Sequence, residues 1–347
     1  MNTLIHTALA AVLFSSTAYA EINRDTIRIV GSSTVYPFAV EVAERFSSNT
    51  DFKRPDIQST GSGGGLKLFC AGVGSDHPDI SNASRRIKNS ESQVCEVNGV
   101  KDILEVPIGY DGIVLAGAKQ MEAFPLTRKD LYLAVSRRVP DPSGEQRMVK
   151  NPYNNWQDIN PSLPAIPIEI FGPPESSGTR DAFRELVMEP ACEEFELVKE
   201  LKQSSSVGYA AACDSFRRDG PYTEGGENDE KLLETLQDSS NALAIFGYSL
   251  LQEHNDQLQG MTIDGVQPTF DTIADGTYPL SRPLFFYVKE AHLNQVVGLK
   301  EYIKEFTADS TSGAEGYLTK LGLIPLSEQE RTVNKAQFKQ KLVANTQ

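Results

Sequence analysis

The chain has few of the residues that build metal centres and redox sites. Its 347 residues include four histidines and four cysteines, and no C-x-x-C pair occurs. The three histidines beyond the N-terminal segment, His77, His254 and His292, lie far apart in sequence. Because zinc and similar ions need nitrogen and sulfur ligands close together, the sequence predicts no metal site, and no motif implies a cofactor.

Positive charge is also scarce. Lys and Arg number 33 against 47 Asp and Glu, which leaves a net charge of −14 at pH 7. A protein that binds nucleic acid or an acidic membrane surface needs a basic face, so the composition argues against both partners. Beyond the N-terminal segment, no run approaches the roughly 20 apolar residues that a membrane-spanning helix requires.

Residues 1–20 are predicted to be a signal peptide. The stretch 4–19 is mostly apolar or small and has no charged side chain, although no Lys or Arg precedes it. Ala18-Tyr19-Ala20 fits the small-x-small pattern of a cleavage site. We therefore expect an exported protein whose mature part begins near Glu21.

The four cysteines agree with export, because disulfides persist in oxidising compartments. Cys70, Cys95, Cys192 and Cys213 all lie beyond the predicted signal peptide. Four cysteines allow three pairings, and buried free thiols are the alternative. The nearest-neighbour pairing, Cys70–Cys95 and Cys192–Cys213, would close two loops of moderate length, each worth roughly 3 kcal/mol.

What the chain has instead is three stretches of hydroxyl residues and glycines. They lie within residues 31–35, 60–65 and 176–180. Each follows a predicted strand and opens a predicted helix, and a helix start exposes backbone N–H groups without intrahelical partners. Glycines let the backbone approach a ligand, while Ser and Thr add hydroxyl donors. Three such helix starts that converge would hold a tetrahedral oxyanion.

The pattern around these stretches predicts an α/β fold. Residues 26–30 are a short β-prone run, and Val35, Phe38, Val42 and Phe46 follow at helical spacing. The same order of strand, turn and helix recurs at the other two stretches. Repeated β-then-α order implies a mixed, mostly parallel sheet flanked by helices, in which ligands bind beyond the carboxyl ends of the strands.

Two further strand candidates, within residues 103–118 and 283–288, predict the domain organisation. About 327 mature residues exceed the usual size of one core, so two domains are expected. If the two strands are crossovers, residues 21–108 and 281–347 form lobe I and residues 109–280 form lobe II. The hinges are then expected near Gly109 and Ser281.

Five motifs resemble those of PstS-type phosphate-binding proteins, and together they span nearly the whole mature chain. In chain order they are Gly31–Phe38, Thr60–Gly65, Asp79–Arg86, Gly109–Val114 and Ser176–Phe183. The resemblance implies a type II periplasmic binding protein of two α/β lobes. It also implies closure of these lobes on inorganic phosphate and delivery to the membrane permease of an ABC transporter. Capture of an anion needs no catalytic residue, and a monomer is the default expectation.

The resemblance also implies which residues bind the anion. They are the hydroxyls and backbone N–H groups at Thr34, Val35, Ser62, Ser177, Gly178 and Thr179. Plain helix capping is the alternative for Thr34 and Ser177, because both residue types are common caps.

The chain departs from the family at two charged positions. The aspartate that accepts the proton of hydrogen phosphate in the best-studied branch is missing from the stretch Asn82–Arg86, and Pro173 and Pro174 replace an arginine before the third loop. We therefore expect Arg85 and Arg180 to supply positive charge.

The sequence predicts supporting roles for further side chains near these charged positions. We expect Asp111 and Asp181 to orient the two guanidinium groups. A Ser84 oxygen or a backbone carbonyl is an alternative acceptor for the phosphate proton. Solvated or salt-bridged surface positions are the alternative for Arg85, Arg86 and Arg180.

The missing aspartate leaves other ligands open. Fully ionised sulfate needs only donors, so sulfate and molybdate-like oxyanions are alternatives to phosphate. A secreted phosphatase is the alternative from another class. Neither Ser62 nor Ser177 stands in a G-x-S-x-G motif, and no neighbouring histidine is available as a base. The sequence thus favours binding over catalysis.

Overall fold

The computed structural model describes residues 24–175, 177–225, 229–239 and 241–344. The predicted signal peptide, residues 1–20, lies outside these described residues. No helix within them is long and apolar enough to cross a membrane.

Eleven strands are found in the described part of the chain. They are β1 Arg28–Gly31, β2 Asp56–Ser59, β3 Ile80–Ala83, β4 Ile103–Ala118, β5 Arg138–Pro140, β6 Met148–Lys150, β7 Ile170–Gly172, β8 Tyr222–Glu224, β9 Leu243–Gly247, β10 Leu258–Gly260 and β11 Ser281–Lys289. Nine of them form one hydrogen-bonded sheet in the order β2-β1-β3-β11-β4-β9-β7-β8, with β10 also paired to β4, while β5 and β6 form a separate hairpin.

Fifteen α-helices within the described residues flank the strands. They are α1 Tyr36–Asn49, α2 Ser62–Phe69, α3 Asn89–Val97, α4 Arg128–Val135, α5 Trp156–Ile159, α6 Gly178–Phe183, α7 Glu189–Cys192, α8 Glu196–Ser204, α9 Ser206–Cys213, α10 Asp229–Asp238, α11 Tyr248–Glu253, α12 Phe270–Ala274, α13 Leu299–Phe306, α14 Asp309–Ser312 and α15 Glu328–Ala344. A π-helical turn, Arg184–Met188, joins α6 to α7, and short 3-10 helices follow β11 and α14.

The first predicted strand, turn and helix unit is confirmed. Strand β1 pairs in parallel with β2 and with β3. Helix α1 starts after Val35 with Pro37 in its first turn, and it buries Phe38, Val42 and Phe46 against the sheet. The predicted helical spacing therefore corresponds to the face of α1 that enters the core.

Two long antiparallel strands join the two halves of the sheet. Strands β4 and β11 pair from Ile103 and Lys289 to Gly112 and Ser281. Beyond β11, β3 continues the sheet on one side, while the second half of β4 pairs with β9 and β10 on the other. Strands β7, β8 and β9 are mutually parallel in that second half. The predicted mixed α/β class is therefore confirmed, with the antiparallel pairs supplied by the crossover strands.

The buried apolar side chains form separate clusters. Two clusters draw on residues 27–108 and 284–338, and a third draws on residues 113–280 together with Ile324. The predicted lobe boundary at residues 109 and 281 stays a prediction, but it falls between these clusters. We keep the names lobe I and lobe II for the ranges given above.

The nearest-neighbour disulfide pairing is confirmed. Cys70, at the end of α2, pairs with Cys95 in α3. Cys192, at the end of α7, pairs with Cys213 at the end of α9. Each bridge stays within one lobe and ties a helix to its neighbour, so it stabilises that lobe without restricting motion between the two lobes.

Candidate anion-binding cleft

The three predicted loops follow the carboxyl ends of parallel strands. Loop 1 (residues 32–35) follows β1, loop 2 (residues 60–61) follows β2, and loop 3 (residues 173–177) follows β7. The loop backbones continue the pairing: Ser32 N–H donates to Asn82 O at 3.0 Å, and Thr60 N–H donates to Gly31 O at 2.9 Å. A cleft of about 460 Å³ opens between loops 1 and 3. This is the position that the α/β rule predicts for a ligand.

Loops 1 and 3 touch across the cleft. A Cβ atom on Gly178 would lie 3.3 Å from Thr34 Cα and 3.6 Å from Thr34 N, so glycine allows this close approach. Ser33 Oγ also donates a hydrogen bond of 2.6 Å to Asp181 Oδ2. The structure thus joins the two loops that the sequence places about 145 residues apart.

Hydroxyl groups line both walls of this cleft. Thr34, Ser177 and Thr179 all contribute to its lining. Ser177 is the N-cap of α6, and its hydroxyl accepts from the Thr179 N–H at 3.2 Å. The capping interpretation of Ser177 is therefore correct, and its carbonyl oxygen also accepts from the N–H groups of Arg180 at 3.0 Å and Asp181 at 3.3 Å.

Backbone groups of loop 1 are less accessible. Val35 is fully buried, and its N–H lies 3.4 Å from the Ser32 hydroxyl. A bond of that length is weak, so this N–H retains donor capacity for a closer acceptor.

The second loop packs tightly on the first strand. A Cβ atom on Gly65 would lie 2.4 Å from Gly31 Cα, so this glycine is required by the packing of α2 against β1. Ser62 and Ser84 are nearly buried and lie together, with their Oγ atoms 3.1 Å apart. Ser62 Oγ also accepts from the Ser84 N–H at 3.0 Å. The structure thus brings Ser62 and Ser84 together, although neither side chain lines the 460 Å³ cleft.

Arg85 lies beside loop 2 but is already paired. Its guanidinium makes two hydrogen bonds to Glu91, of 2.9 and 2.7 Å. The hydrogen bond to Glu91 raises the pKa of Arg85 above its usual value. A Cβ atom on Gly63 would lie 3.7 Å from Arg85 Nη2, which places the charge near the second helix start. Arg86 forms an exposed ion pair with Glu105, in agreement with the alternative interpretation of Arg86 as a salt-bridged surface residue.

Arg180 is placed differently from the sequence prediction. Its guanidinium donates to Pro173 O at 2.9 Å and to the Tyr222 hydroxyl at 2.7 Å, and it lies 3.3 Å from Glu224. It also stacks over the ring of Phe216, 3.6 Å from the centroid. These acceptors and the ring hold the Arg180 side chain in a second cavity of lobe II, outside the cleft.

Sequence reasoning missed Arg282, which bonds to Thr34 in the cleft wall but does not itself line the 460 Å³ cleft. It is 5% exposed and stands second in β11, beside the predicted hinge. Its guanidinium donates to Thr34 Oγ1, to Glu185 and to Asp111 Oδ2, the last at 3.2 Å. A charged residue next to the apolar run 284–288 was the available signal, because a buried cation needs partners.

The two aspartates also have other partners than predicted. Asp111 orients a guanidinium, but that of Arg282 and not that of Arg85 or Arg180. Asp181 accepts from Ser33 and lies 3.8 Å from Arg184. The reason is that Asp111 faces Arg282 across the crossover strands and Asp181 faces Ser33 of loop 1, whereas Arg85 and Arg180 pair elsewhere, with Glu91 and with Glu224.

The arrangement suits capture of an oxyanion. Hydroxyl and N–H donors come from both walls, and one buried guanidinium outside the lining, that of Arg282, donates to Thr34. Within the described ranges, no group of three His, Cys, Asp or Glu side chains is arranged to hold a metal ion. The buried pair His292–Asp79 lies at the start of β3, at the opposite end of this strand from Ser84.

Comparisons with known proteins identify the family of this chain. The family model described as the PBP superfamily domain matches residues 16–310. Protein SphX of Synechocystis sp. is 31% identical over 318 residues, which are 90% of this chain and 82% of SphX. The phosphate-binding protein PstS of Staphylococcus haemolyticus is 29% identical over 295 residues, which are 83% of this chain and 79% of that protein.

A solved structure is similar over nearly its full length. It is that of a possible phosphate binding protein from Planctomyces limnophilus, with a TM-score of 0.72 and 27% identity, covering 93% of this chain and 99% of that one. The chain therefore belongs to the PBP superfamily. The resemblance to PstS-type phosphate-binding proteins that the five motifs predict is confirmed.

Proposed function

We propose that this protein captures inorganic phosphate in the cleft between lobes I and II and delivers it to the permease of an ABC transporter. One observation carries the proposal above all: loops 1 and 3 meet across the cleft beside a buried arginine. The names of the PstS relatives support phosphate as the ligand. The protein acts in this proposal as an exported, periplasmic monomer that binds phosphate without catalysis.

The hydroxyl and N–H donors at Thr34, Val35, Ser177, Gly178 and Thr179 contact the anion in this proposal. Ser62 and Ser84 support it from loop 2. Helix starts and hydroxyls suit a tetrahedral oxyanion, because their donors point at one place without adding charge of either sign.

Arg282 supplies the main positive charge to the bound anion. It is buried and already bonded to Thr34, so its charge acts at short range in a medium of low polarity. Arg85 adds charge from beside loop 2, where it stays paired with Glu91. Arg180 acts through loop 3, because its guanidinium holds the Pro173 carbonyl.

Asp111 is the acceptor for the proton of hydrogen phosphate. It is the one carboxylate among the described residues that line the cleft. Hydrogen phosphate donates one hydrogen bond and sulfate donates none, so a carboxylate at this position favours phosphate. This assignment replaces the aspartate that is missing from residues 82–86.

Closure of the two lobes gives the mechanism. The hinges lie at Gly109 and Ser281, on the two crossover strands, and Asp111 and Arg282 stand directly beside them. An anion that contacts loops 1 and 3 together stabilises the closed form, because the open form offers only one wall at a time.

Calorimetric titration tests this function. The mature protein, stripped of ligand by unfolding and refolding, is titrated with phosphate, sulfate and molybdate in turn. We expect tight one-to-one phosphate binding that excess sulfate does not displace. Preference for sulfate or molybdate would reassign the ligand. Absence of binding to all three would contradict the proposal.

Thr179→Val sharpens the test of the site. We expect phosphate binding to weaken by about 1–3 kcal/mol, the cost of one buried donor to a charged ligand. Thr332→Val, on the exposed face of α15, is the matched control and should leave the dissociation constant unchanged. Equal affinity of the Thr179 variant and the wild type would remove this loop from the site.

A further inference from the structure

Lobe II contains a second cavity, of about 760 Å³, and apart from Arg180, which acts on loop 3, none of its described lining residues has a role in the proposed phosphate capture. Six of the eleven residues that line it are cationic, and they come from four separate segments of the chain. They are Arg137, Arg138, Lys150, Arg180, Arg217 and Arg218. Three acidic residues, Glu175, Asp214 and Asp219, also line it. The cavity therefore has three positive charges in excess, on a chain whose net charge is −14.

The cationic groups are held on a rigid frame. Arg137 N–H donates to Ser215 O at 2.8 Å, and Arg217 N–H donates to Val135 O at 2.9 Å, so the two segments are tied together. Arg217 is 2% exposed, and its guanidinium donates to Tyr153 O and to Asp219, both at 2.6 Å. The two segments that carry Arg137 and Arg217 are thus fixed relative to each other before any ligand arrives, which lowers the entropic cost of binding.

Most of the cations already have partners, but one does not. Lys150 faces Asp219, Arg218 faces Glu175, and Arg138 donates to Met148 O. The guanidinium of Arg137 has no hydrogen-bond or ion-pair partner among the described residues. A planar guanidinium with all its donors available is suited to bidentate contact with phosphoryl or carboxylate oxygens.

The lining also restricts the kind of anion. A cavity of this size exceeds what a single small oxyanion fills and lies in the range of sites for larger ligands. Phe216 is the one aromatic residue of the described lining, and the Arg180 guanidinium already covers its face at 3.6 Å. A nucleobase would therefore find no ring to stack on, which favours a chain of charged groups without an aromatic part.

We propose that this cavity is a second anion site, for a condensed phosphate such as tripolyphosphate. Arg137 makes the bidentate contact, and the exposed Arg138, Lys150 and Arg218 contribute charge along the chain of phosphoryl groups. The site is separate from the cleft, because no residue lines both cavities. The proposal of a second anion site is therefore independent of the proposal of phosphate capture in the cleft.

The test titrates the full mature chain with sodium tripolyphosphate by calorimetry, in the absence and in the presence of saturating inorganic phosphate. Arg137→Gln removes the free guanidinium. Arg147→Gln is the matched control, because Arg147 is an exposed arginine of lobe II outside the cavity, paired with Asp141. Thr179→Val changes the cleft and therefore shows whether tripolyphosphate binds there.

We expect saturable tripolyphosphate binding that inorganic phosphate does not compete away and that weakens as salt rises. Arg137→Gln should raise the dissociation constant by about ten-fold, the usual worth of a hydrogen bond to a charged group. Arg147→Gln and Thr179→Val should leave it unchanged.

Three results would overturn the second site. The first is the absence of saturable binding at low salt. The second is competition by inorganic phosphate together with loss of binding in Thr179→Val, which would assign tripolyphosphate to the cleft. The third is equal weakening of tripolyphosphate binding by Arg137→Gln and Arg147→Gln. This would mean that the loss of one positive charge anywhere on lobe II explains the effect. Because both arginines are exposed, neither variant should impair folding, and thermal unfolding checks this.

Discussion

The two ends of strand β11 each bury a cation, and the two cations are stabilised in different ways. Arg282, at the start of β11, meets Asp111, Glu185 and Thr34 at the crossover between the lobes. Lys289, at the end of the strand, donates to the Gly72 carbonyl and lies over the face of the Phe69 ring. Acceptors thus surround the guanidinium of Arg282, whereas the Lys289 ammonium meets one carbonyl and a ring.

The lysine responds to burial by losing affinity for its proton. Burial lowers the pKa of Lys289 to about 7, although Asp79 opposes the shift and Arg24 adds to it. In the proposed function the buried Arg282 is a fixed charge for the anion, whereas the buried Lys289 can lose its charge and pack as a neutral side chain. The variants below test whether the two cations differ in this way.

Arg282→Lys should have the largest effect on phosphate binding. Lysine keeps the charge but cannot reach three acceptors in one plane, so we expect the dissociation constant to rise by about 100-fold, within the 2–5 kcal/mol typical of a disrupted buried charge. Calorimetry measures it. Arg45→Lys, on the exposed face of α1, is the control. An unchanged dissociation constant would show that Arg282 only supports the hinge strands.

Asp111→Asn should change selectivity as well as affinity. Loss of the acceptor should weaken phosphate binding by about 10–100-fold while sulfate binding is kept or improved, because an amide can donate. Titration of both anions gives the ratio of their affinities.

Asp181→Asn is the control for this selectivity. It weakens the contact of Asp181 with Ser33 across the cleft, so it should weaken phosphate and sulfate equally. The same loss for both anions in Asp111→Asn would mean that Asp111 acts only through Arg282.

Arg180→Lys tests a third buried cation, which lies outside β11. We expect a fall in Tm of a few degrees, because its bonds to Pro173 and Tyr222 hold loop 3 to lobe II. Phosphate affinity should fall by only about three- to ten-fold, through the loop. If Arg180→Lys weakens binding more than Arg282→Lys, Arg180 contacts the anion directly, as its motif predicts.

Lys289→Met should leave binding unchanged and alter only the pH dependence of stability. The pKa of Lys289 is lower in the folded than in the unfolded chain, so the unfolded chain binds more protons between pH 7 and about 10. The wild type therefore gains stability from this group as pH rises through that window, and below pH 7 the full cost of burying the charge remains.

Scanning calorimetry from pH 6 to 10 checks this. The groups that face Lys289 are Gly72 O, Phe69, Asp79, Arg24, His77 and His292. Lys289→Met should flatten the rise of Tm with pH, and the exposed Lys101→Met should retain it. An equal slope in wild type and Lys289→Met would assign the slope to other groups.

Much of the fold was predictable because it depends on neighbours along the chain. Helix α1 follows from the spacing of Val35 to Phe46, and the disulfides follow from the nearest cysteines. The approach of loops 1 and 3 follows from the rule that ligands meet the carboxyl ends of parallel strands. The candidate site was predictable to the level of its loops.

Side-chain directions within the site were not predictable. Arg180 belongs to the third motif, yet its guanidinium bonds to Tyr222 and Glu224, more than 40 residues later. Arg85 was expected to supply charge and instead makes a two-bonded pair with Glu91. Arg282 lies in none of the five motifs and became the central cation through contacts 97 to 248 residues away.

The sequence by itself thus determined the order of strands and helices, the three loops at the carboxyl ends of strands, the four candidate disulfide cysteines and the resemblance to the family. Periodicity, capping and turn chemistry decide the local features over a few residues. The tertiary structure alone decided which arginine bonds to Thr34 in the cleft wall, which carboxylate lines the cleft and where the basic cavity lies. The physical reason is that a buried charge takes the direction in which acceptors exist, and those acceptors come from distant parts of the chain.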